Sequence, residues 1–264
     1  MTAVATAPRG RGSQRAVDLS KRALAFAVAV ALGLVAWEIG VWISDDWVPS
    51  IGEVGSAVGE QIREGQTWDG MAITAKRILI AFSAATVIGI AIGFAMGLSR
   101  YAEAYFRPLI VIALAIPDPV YVILAILVLG TEESSGVIAL TLALVPFVVT
   151  IVHTSVAARE TQLDEMSRVY RFGRRQYLTQ VLARQVAPAL LAAARTSFAF
   201  AWKIVVLVEA LSQPEGIGAQ IYYAFRLLKP AEMIALALIF IVLMRLVDYL
   251  VFGTLERRLL AWSR

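Results

Sequence analysis

Six long apolar stretches dominate this chain and leave it few ways to fold. They run over about Ala23–Ile43, Ile78–Leu98, Leu109–Leu129, Val137–Ala157, Ala187–Leu211 and Ala231–Phe252. Each is long enough to cross the roughly 30 Å hydrocarbon core of a bilayer as a helix. Lipid offers no partner for backbone N–H and C=O groups, so spans of this length satisfy them internally by forming α-helices. The composition agrees: 59% of the 264 residues are hydrophobic and the mean hydropathy is +0.73, above the roughly half-apolar make-up of soluble domains. The expected fold is therefore an all-α integral membrane protein of six transmembrane helices, covering 23–264.

Basic residues set the expected orientation, because cytoplasmic connections collect Lys and Arg. With six spans both termini share one side. That side holds Arg9, Arg11, Arg15, Lys21 and Arg22, then Arg100 and Arg107, and then Arg159, Arg168, Arg171, Arg174, Arg175 and Arg184. Arg257, Arg258 and Arg264 close it. The other side holds only Arg63, Lys76, Arg77, Arg226 and Lys229. Both termini and the 159–184 connection are thus expected in the cytoplasm of a multi-pass cell-membrane protein. Residues 1–22 read as a disordered basic tail. The first apolar run has the look of a signal peptide but lacks a small-residue cleavage pattern, so it reads as a retained span.

On the outer side, Ile51, Val54, Val58 and Ile62 are spaced for a short amphipathic helix on the membrane surface. Trp42, Trp47 and Trp68 suit the interface, and Thr131–Gly136 reads as a short acidic hairpin. Neither a domain of soluble size nor a strong internal repeat is evident.

Several residues inside the spans stand out. Gly89, Gly93 and Gly97 recur every four positions, which lets helix backbones approach closely, either within the bundle or at a partner seam. Pro117-Asp118-Pro119 must break or kink the third span. Asp118 at the break and Lys203 in the middle of the fifth span are charges that cost about 2.5–3.5 kcal/mol each at mid-membrane. They are read as pathway-lining, or as an ion pair with each other; alternatively Lys203 attracts an anionic solute. Pro117, Pro119 and Glu209 are pathway candidates with them, and Glu209, nearer the outer end, is also a gate candidate. Arg195 is placed to snorkel, and Arg245 with Asp248 to form a local salt bridge.

Other chemistries lack their residues. There is no cysteine, and His153 stands alone, so no Cys or His cluster can hold a metal. It reads as a helix-end residue. A net charge of +4 gives no ground for nucleic-acid binding. The acids show neither nucleophile nor metal spacing, which argues against an intramembrane enzyme. No Walker-type phosphate loop is present, so the chain should not bind or hydrolyse ATP alone.

The connection 159–184 is the most distinctive segment. Leu163, Met166, Tyr170, Tyr177 and Val181 fit one helical face interrupted near Gly173, which would supply a positive-φ bend. Such a basic face could rest on anionic headgroups, but the central bend and the acids Asp164 and Glu165 point to a protein partner.

With these residues the chain resembles the inner-membrane permeases of binding-protein-dependent ABC importers. Glu165-Met166-Ser167 is similar to the family's Glu-Ala-Ala start. Arg171 stands where the family has its glycine, Gly173 follows two residues later, and Pro188 falls at the distal proline. Val48-Pro49-Ser50, Arg107-Pro108, Ile116-Pro117, Glu209 with Glu215-Gly216-Ile217-Gly218, and Asp248 with Leu255-Glu256-Arg257-Arg258 look like the subgroup for sulfonates, taurine, nitrate or bicarbonate, and thiamine precursors.

The resemblance implies a permease subunit without a cofactor of its own. A cytoplasmic ABC ATPase would carry ATP and magnesium. An extracytoplasmic solute-binding protein would deliver a small anionic or aromatic solute, and a second copy of the permease would complete the pathway within the lipid. Glu165, Met166, Arg168, Tyr170, Arg171, Phe172, Gly173 and Arg174 would then form the ATPase dock, in a coupling loop between spans four and five. The rival reading is a stand-alone carrier driven by an ion gradient.

Overall fold

The computed structural model describes residues 11–44 and 47–259. Every regular element among them is helical. Contacts divide the chain into two units, one ending at Ser56 and one beginning at Ala57.

In the first unit, α1 runs from Arg11 to Ile43. It takes in residues 11–22, which composition assigned to a disordered tail; residues 1–10 of that tail lie outside the described residues. Extending a helix that an apolar run has already nucleated costs little per residue. Trp37 Nε1 donates to Pro49 O at 2.9 Å. Ser50 and Glu53 form a reciprocal capping box (2.8 and 3.2 Å) at the start of α2, Ile51–Arg63. The amphipathic outer helix read from the sequence is this element.

The second unit is built on α3, Gly65–Leu98, and α6, Glu133–Ala157. Gly89, Gly93 and Gly97 face Val148, Val152 and Val156. A Cβ on these glycines would stand 2.5, 2.6 and 2.5 Å from the respective valine side chains. Both series of numbers rise together, so α3 and α6 run parallel in close backbone contact. The chain must therefore cross back between Leu98 and Glu133. It does so through α4, Arg100–Ala115, and α5, Asp118–Leu129, bent by 98° at Ile116–Pro117. The expected third span is thus a broken one. Tyr121 OH donates to Ala113 O at 2.7 Å, a carbonyl that also accepts from Ile116 N at 3.2 Å, so α5 is tied to the end of α4 across the break.

A short helix α7, Thr161–Val169, follows α6. The chain then passes through α8, Arg174–Gln176, and a π-helical stretch, Tyr177–Leu182. It continues without a break into α9, Ala183–Ser212, which returns beside α6. Helix α10, Ile217–Arg226, precedes the last span, α11, Pro230–Leu259. The core between α3, α6, α9 and α11 is filled by residues such as Ile78, Leu140, Leu144, Val205 and Leu236.

Two boundaries differ from the hydropathy reading. Helix α3 starts at Gly65 rather than near Ile78, so Lys76 and Arg77 are helical and not loop residues. Charge ended the apolar window, but nothing in 65–77 breaks a helix, and Arg77 finds a buried partner. Helix α10 was not foreseen, being too short and mixed to register as a span.

Candidate functional site

The 159–184 loop is anchored by its own side chains. Arg159 Nη1 donates to Gly97 O at 3.1 Å and to Val156 O at 2.9 Å, tying the ends of α3 and α6 together. Its Nε donates to Asp164 Oδ2 at 2.9 Å, and Tyr177 OH donates to Asp164 Oδ1 at 2.8 Å. Glu160 N donates to Gln185 Oε1 at 2.8 Å, which reaches α9. Asp164, read from the sequence as a sign of a protein partner, is occupied inside the chain. The ion pair with Arg159 and the hydrogen bond from Tyr177 together clamp α7 to the ends of three spans.

Helix α7 stops in a Schellman arrangement. Phe172 N donates to Ser167 O at 2.9 Å and Arg171 N donates to Arg168 O at 3.0 Å. This requires a left-handed residue, and it is Arg171, at φ 52°. Gly173, expected to make the bend, is extended at φ −66° and caps α8. The bend therefore sits at the position where the family pattern has glycine, but on a side chain that adopts it at a cost of roughly 1–2 kcal/mol.

The clamp leaves one face of the loop in solvent. Glu165, Met166, Arg168, Tyr170, Arg171, Gly173 and Arg174 are exposed, and Phe172 is half-buried. Met166 on α7 is 41% exposed and Tyr170, which caps its end, 70%, large values for such side chains. Val169, missed by the periodicity because it falls off the apolar stripe, is 78% exposed beside them.

A second cluster lies at the opposite end of the unit. Glu209 of α9 is fully buried. Arg77 Nη1 lies 2.8 Å from Glu209 Oε1, and Thr74 Oγ1 lies 2.9 Å from both carboxylate oxygens. Gly218 N donates to Oε2 at 2.9 Å, and Ile217 N donates to Thr74 Oγ1 at 2.9 Å. Arg77 also donates to Glu215 O at 2.6 Å. Gly216 is at φ 117°, and any Cβ there would overlap the Glu209 carboxyl. Glu209, a pathway and gate candidate from its position, is thus sealed into a knot joining α3, α9 and α10. Arg77 and Thr74 were missed because they precede the apolar run and read as an interface flank. Near this knot opens a cleft of about 890 Å³, lined by polar residues including Gln61, Thr67, Gln213, Gln220, Tyr223 and Arg226.

The remaining candidates separate. Asp118 and Lys203 do not pair within the chain. Asp118 is exposed in the first turn of α5, and Lys203 is exposed on α9 with its ammonium 5.9 Å from the ring centres of both Phe200 and Trp202. Pro117 and Pro119 flank the break and are exposed. Arg195 does not simply snorkel: its Nε and Nη2 grip Asp248 at 3.1 and 3.0 Å. Arg245, the partner expected for Asp248, is the more distant one at 3.4 Å. A planar guanidinium reaching across helices meets both carboxylate oxygens, which a neighbour three residues away cannot match. His153 Nε2 lies 3.5 Å from Glu103 Oε1, which also pairs with Arg107. No group of three or more metal-ligating side chains occurs among the described residues.

The sequence profile of the binding-protein-dependent transport system inner membrane components matches residues 85–260. A putative aliphatic sulfonates transport permease protein, SsuC of Bacillus subtilis, is 28% identical over 98% of this chain and 93% of its own length. The nitrate import permease protein NrtB of Synechocystis is 27% identical over 89% of this chain and 88% of its own. The riboflavin transport system permease protein RibX of Chloroflexus aurantiacus is 31% identical over 97% and 95%. Among solved structures, a chain of the MetNI methionine ABC transporter in an inward-facing conformation superposes with a TM-score of 0.64. It is 18% identical and covers 72% of this chain and 94% of that one. That likeness is one of fold.

Proposed function

This chain belongs to the inner-membrane components of binding-protein-dependent transport systems, and from that premise we propose that its 159–184 loop is the dock for the ATPase. The chain is a non-catalytic permease subunit of an ABC importer, and ATP hydrolysis is carried out by a separate ATPase. Membership sets aside the rival reading of a stand-alone gradient-driven carrier. The observation that carries the docking proposal is the clamp of Arg159, Asp164 and Tyr177, which holds an exposed row of Glu165, Met166, Arg168, Val169 and Tyr170 on a rigid element. An exposed apolar and charged patch on a short fixed helix suits a partner groove. Because Arg159 also holds the ends of α3 and α6, a push on α7 is delivered to the spans.

In this reading the loop and both termini face the cytoplasm, and the cleft near the Glu209 knot faces the solute-binding protein. Two copies enclose the path, with Pro117, Asp118, Pro119 and Lys203 beside it. The solute is a small anionic or aromatic compound or an oxyanion. Relatives named for sulfonates, nitrate and riboflavin support that class and leave the member open.

The test is capture of the tagged permease in mild detergent, with co-purifying chains identified. An ATPase retained by the wild type and lost with Glu165→Arg supports the dock. Equal retention by both overturns it.

A further inference from the structure

Asp118 and Lys203 are opposite charges on apolar helices, and neither has an ion-pair partner among the described residues of its own chain. Depth can be read from a common level. Gln213 Nε2 donates to Glu132 O at 3.2 Å, so the C-terminal end of α9 and the N-terminal end of α6 lie side by side. Lys203 precedes Gln213 by ten helical positions, which is about 15 Å along α9. Asp118 begins α5, whose twelve residues end at Leu129 just before that level, so it lies at most about 17 Å from it, and less by the tilt of a span bent by 98°. Both charges therefore lie within the depth of a hydrocarbon core of roughly 30 Å. Lys203 is too deep for its stem to bring the ammonium to the headgroups, and Asp118 is shorter still.

Both side chains are exposed on the surface of the single chain. The ammonium of Lys203 rests 5.9 Å from the rings of Phe200 and Trp202, which stabilise a cation but do not neutralise it. The other deep carboxylates of this unit are taken: Glu209 by Arg77, and Asp248 by Arg195. Helices α5 and α9 pack against each other, so the two stranded charges belong to neighbouring elements.

We propose that Asp118 of one copy pairs with Lys203 of a second copy, and Lys203 with Asp118, so that two reciprocal ion pairs join the copies within the membrane. A two-fold axis has this property: if position i meets position j, j meets i, and one exposed acid and one exposed base per chain are satisfied twice. The proposal rests on the permease reading above, in which two copies enclose the path. The break at Pro117 has a role in it. By ending α4 there, the chain starts a new helix inside the span, and Asp118 is carried in its first turn, where the helix dipole favours a carboxylate.

The chain contains no cysteine, so single thiols can be placed without removing any. Two copies with different tags would be co-expressed, one carrying Asp118→Cys and the other Lys203→Cys, and treated in the membrane with a bis-maleimide as long as a Lys–Asp pair, because that pair holds its Cα atoms farther apart than the roughly 7 Å a direct disulfide allows. A covalent product bearing both tags is expected, because neither chain can cross-link within itself. Its absence overturns the proposal. Charge reversal is the second arm: Asp118→Lys and Lys203→Asp alone should each reduce co-capture of the second copy at least tenfold, and Asp118→Lys/Lys203→Asp together should restore it. Unchanged co-capture in both single variants also overturns it. Retention of the ATPase in the same captures would show that the permease reading stands even where the pair fails.

Discussion

Arg77 of α3 and Glu209 of α9 meet 2.8 Å apart with side chains 4% and 0% exposed, 132 positions apart in the chain. Their pairing fixes the helix on which the loop end of α6 leans to the helix that leaves the loop. A buried pair need not add net stability over an apolar replacement, but removing one member strands the other. Arg77→Met or Glu209→Leu alone should cost about 3–5 kcal/mol. The paired replacement Arg77→Met/Glu209→Leu should cost clearly less than the sum. Thermal unfolding of the four proteins in detergent measures this, and additive losses would mean the two residues act separately.

Arg171 and Gly173 make opposite predictions to those their residue types suggest. Arg171 holds φ 52° and Gly173 φ −66° with nothing near its missing Cβ. Arg171→Gly should raise the stability of the loop by up to about 1 kcal/mol, net of glycine's entropy. Gly173→Ala should be close to neutral. Protease susceptibility of the loop, compared across both variants, reads the difference.

Gly93 lies against Val152, with room for no side chain. Gly93→Leu should force α3 and α6 apart and lower the yield of folded protein sharply, and Val152→Ala in the same chain should recover part of it. The check is monodispersity in detergent, and failure of the second change to help would place the damage elsewhere.

Asp164 and Glu165 are adjacent but should fail differently. Glu165→Arg should insert and fold normally yet lose solute-stimulated ATP hydrolysis by the assembled transporter. Asp164→Asn removes the shared acceptor of Arg159 and Tyr177, and should loosen the loop as well as slow hydrolysis. Hydrogen exchange over 159–184 separates the two, because only Asp164→Asn should speed it.

The periodicity that marked Leu163, Met166 and Tyr170 as one face was sound for a helix, but it could not tell a face turned to a partner from one held by the chain. Asp164 was read with Glu165 as a sign of a protein partner, and only Arg159 and Tyr177 show that it turns in. Glycine chemistry misplaced the bend for a similar reason. Residue type states who can adopt a left-handed backbone cheaply, whereas the hydrogen bonds of α7 decide who must.

Hydropathy, charge placement and proline positions were enough to determine the helical spans, the break at Pro117 and the basic loop between α6 and α9. These are local properties, set by what each stretch of twenty residues does in lipid or water. Which charges meet was decided only by the tertiary structure. Arg77 with Glu209, Arg195 with Asp248, and the separation of Asp118 from Lys203 depend on the parallel alignment of α3 with α6 and on the helices each pair must bridge. A window along the chain carries no information about partners 53 or 132 positions away.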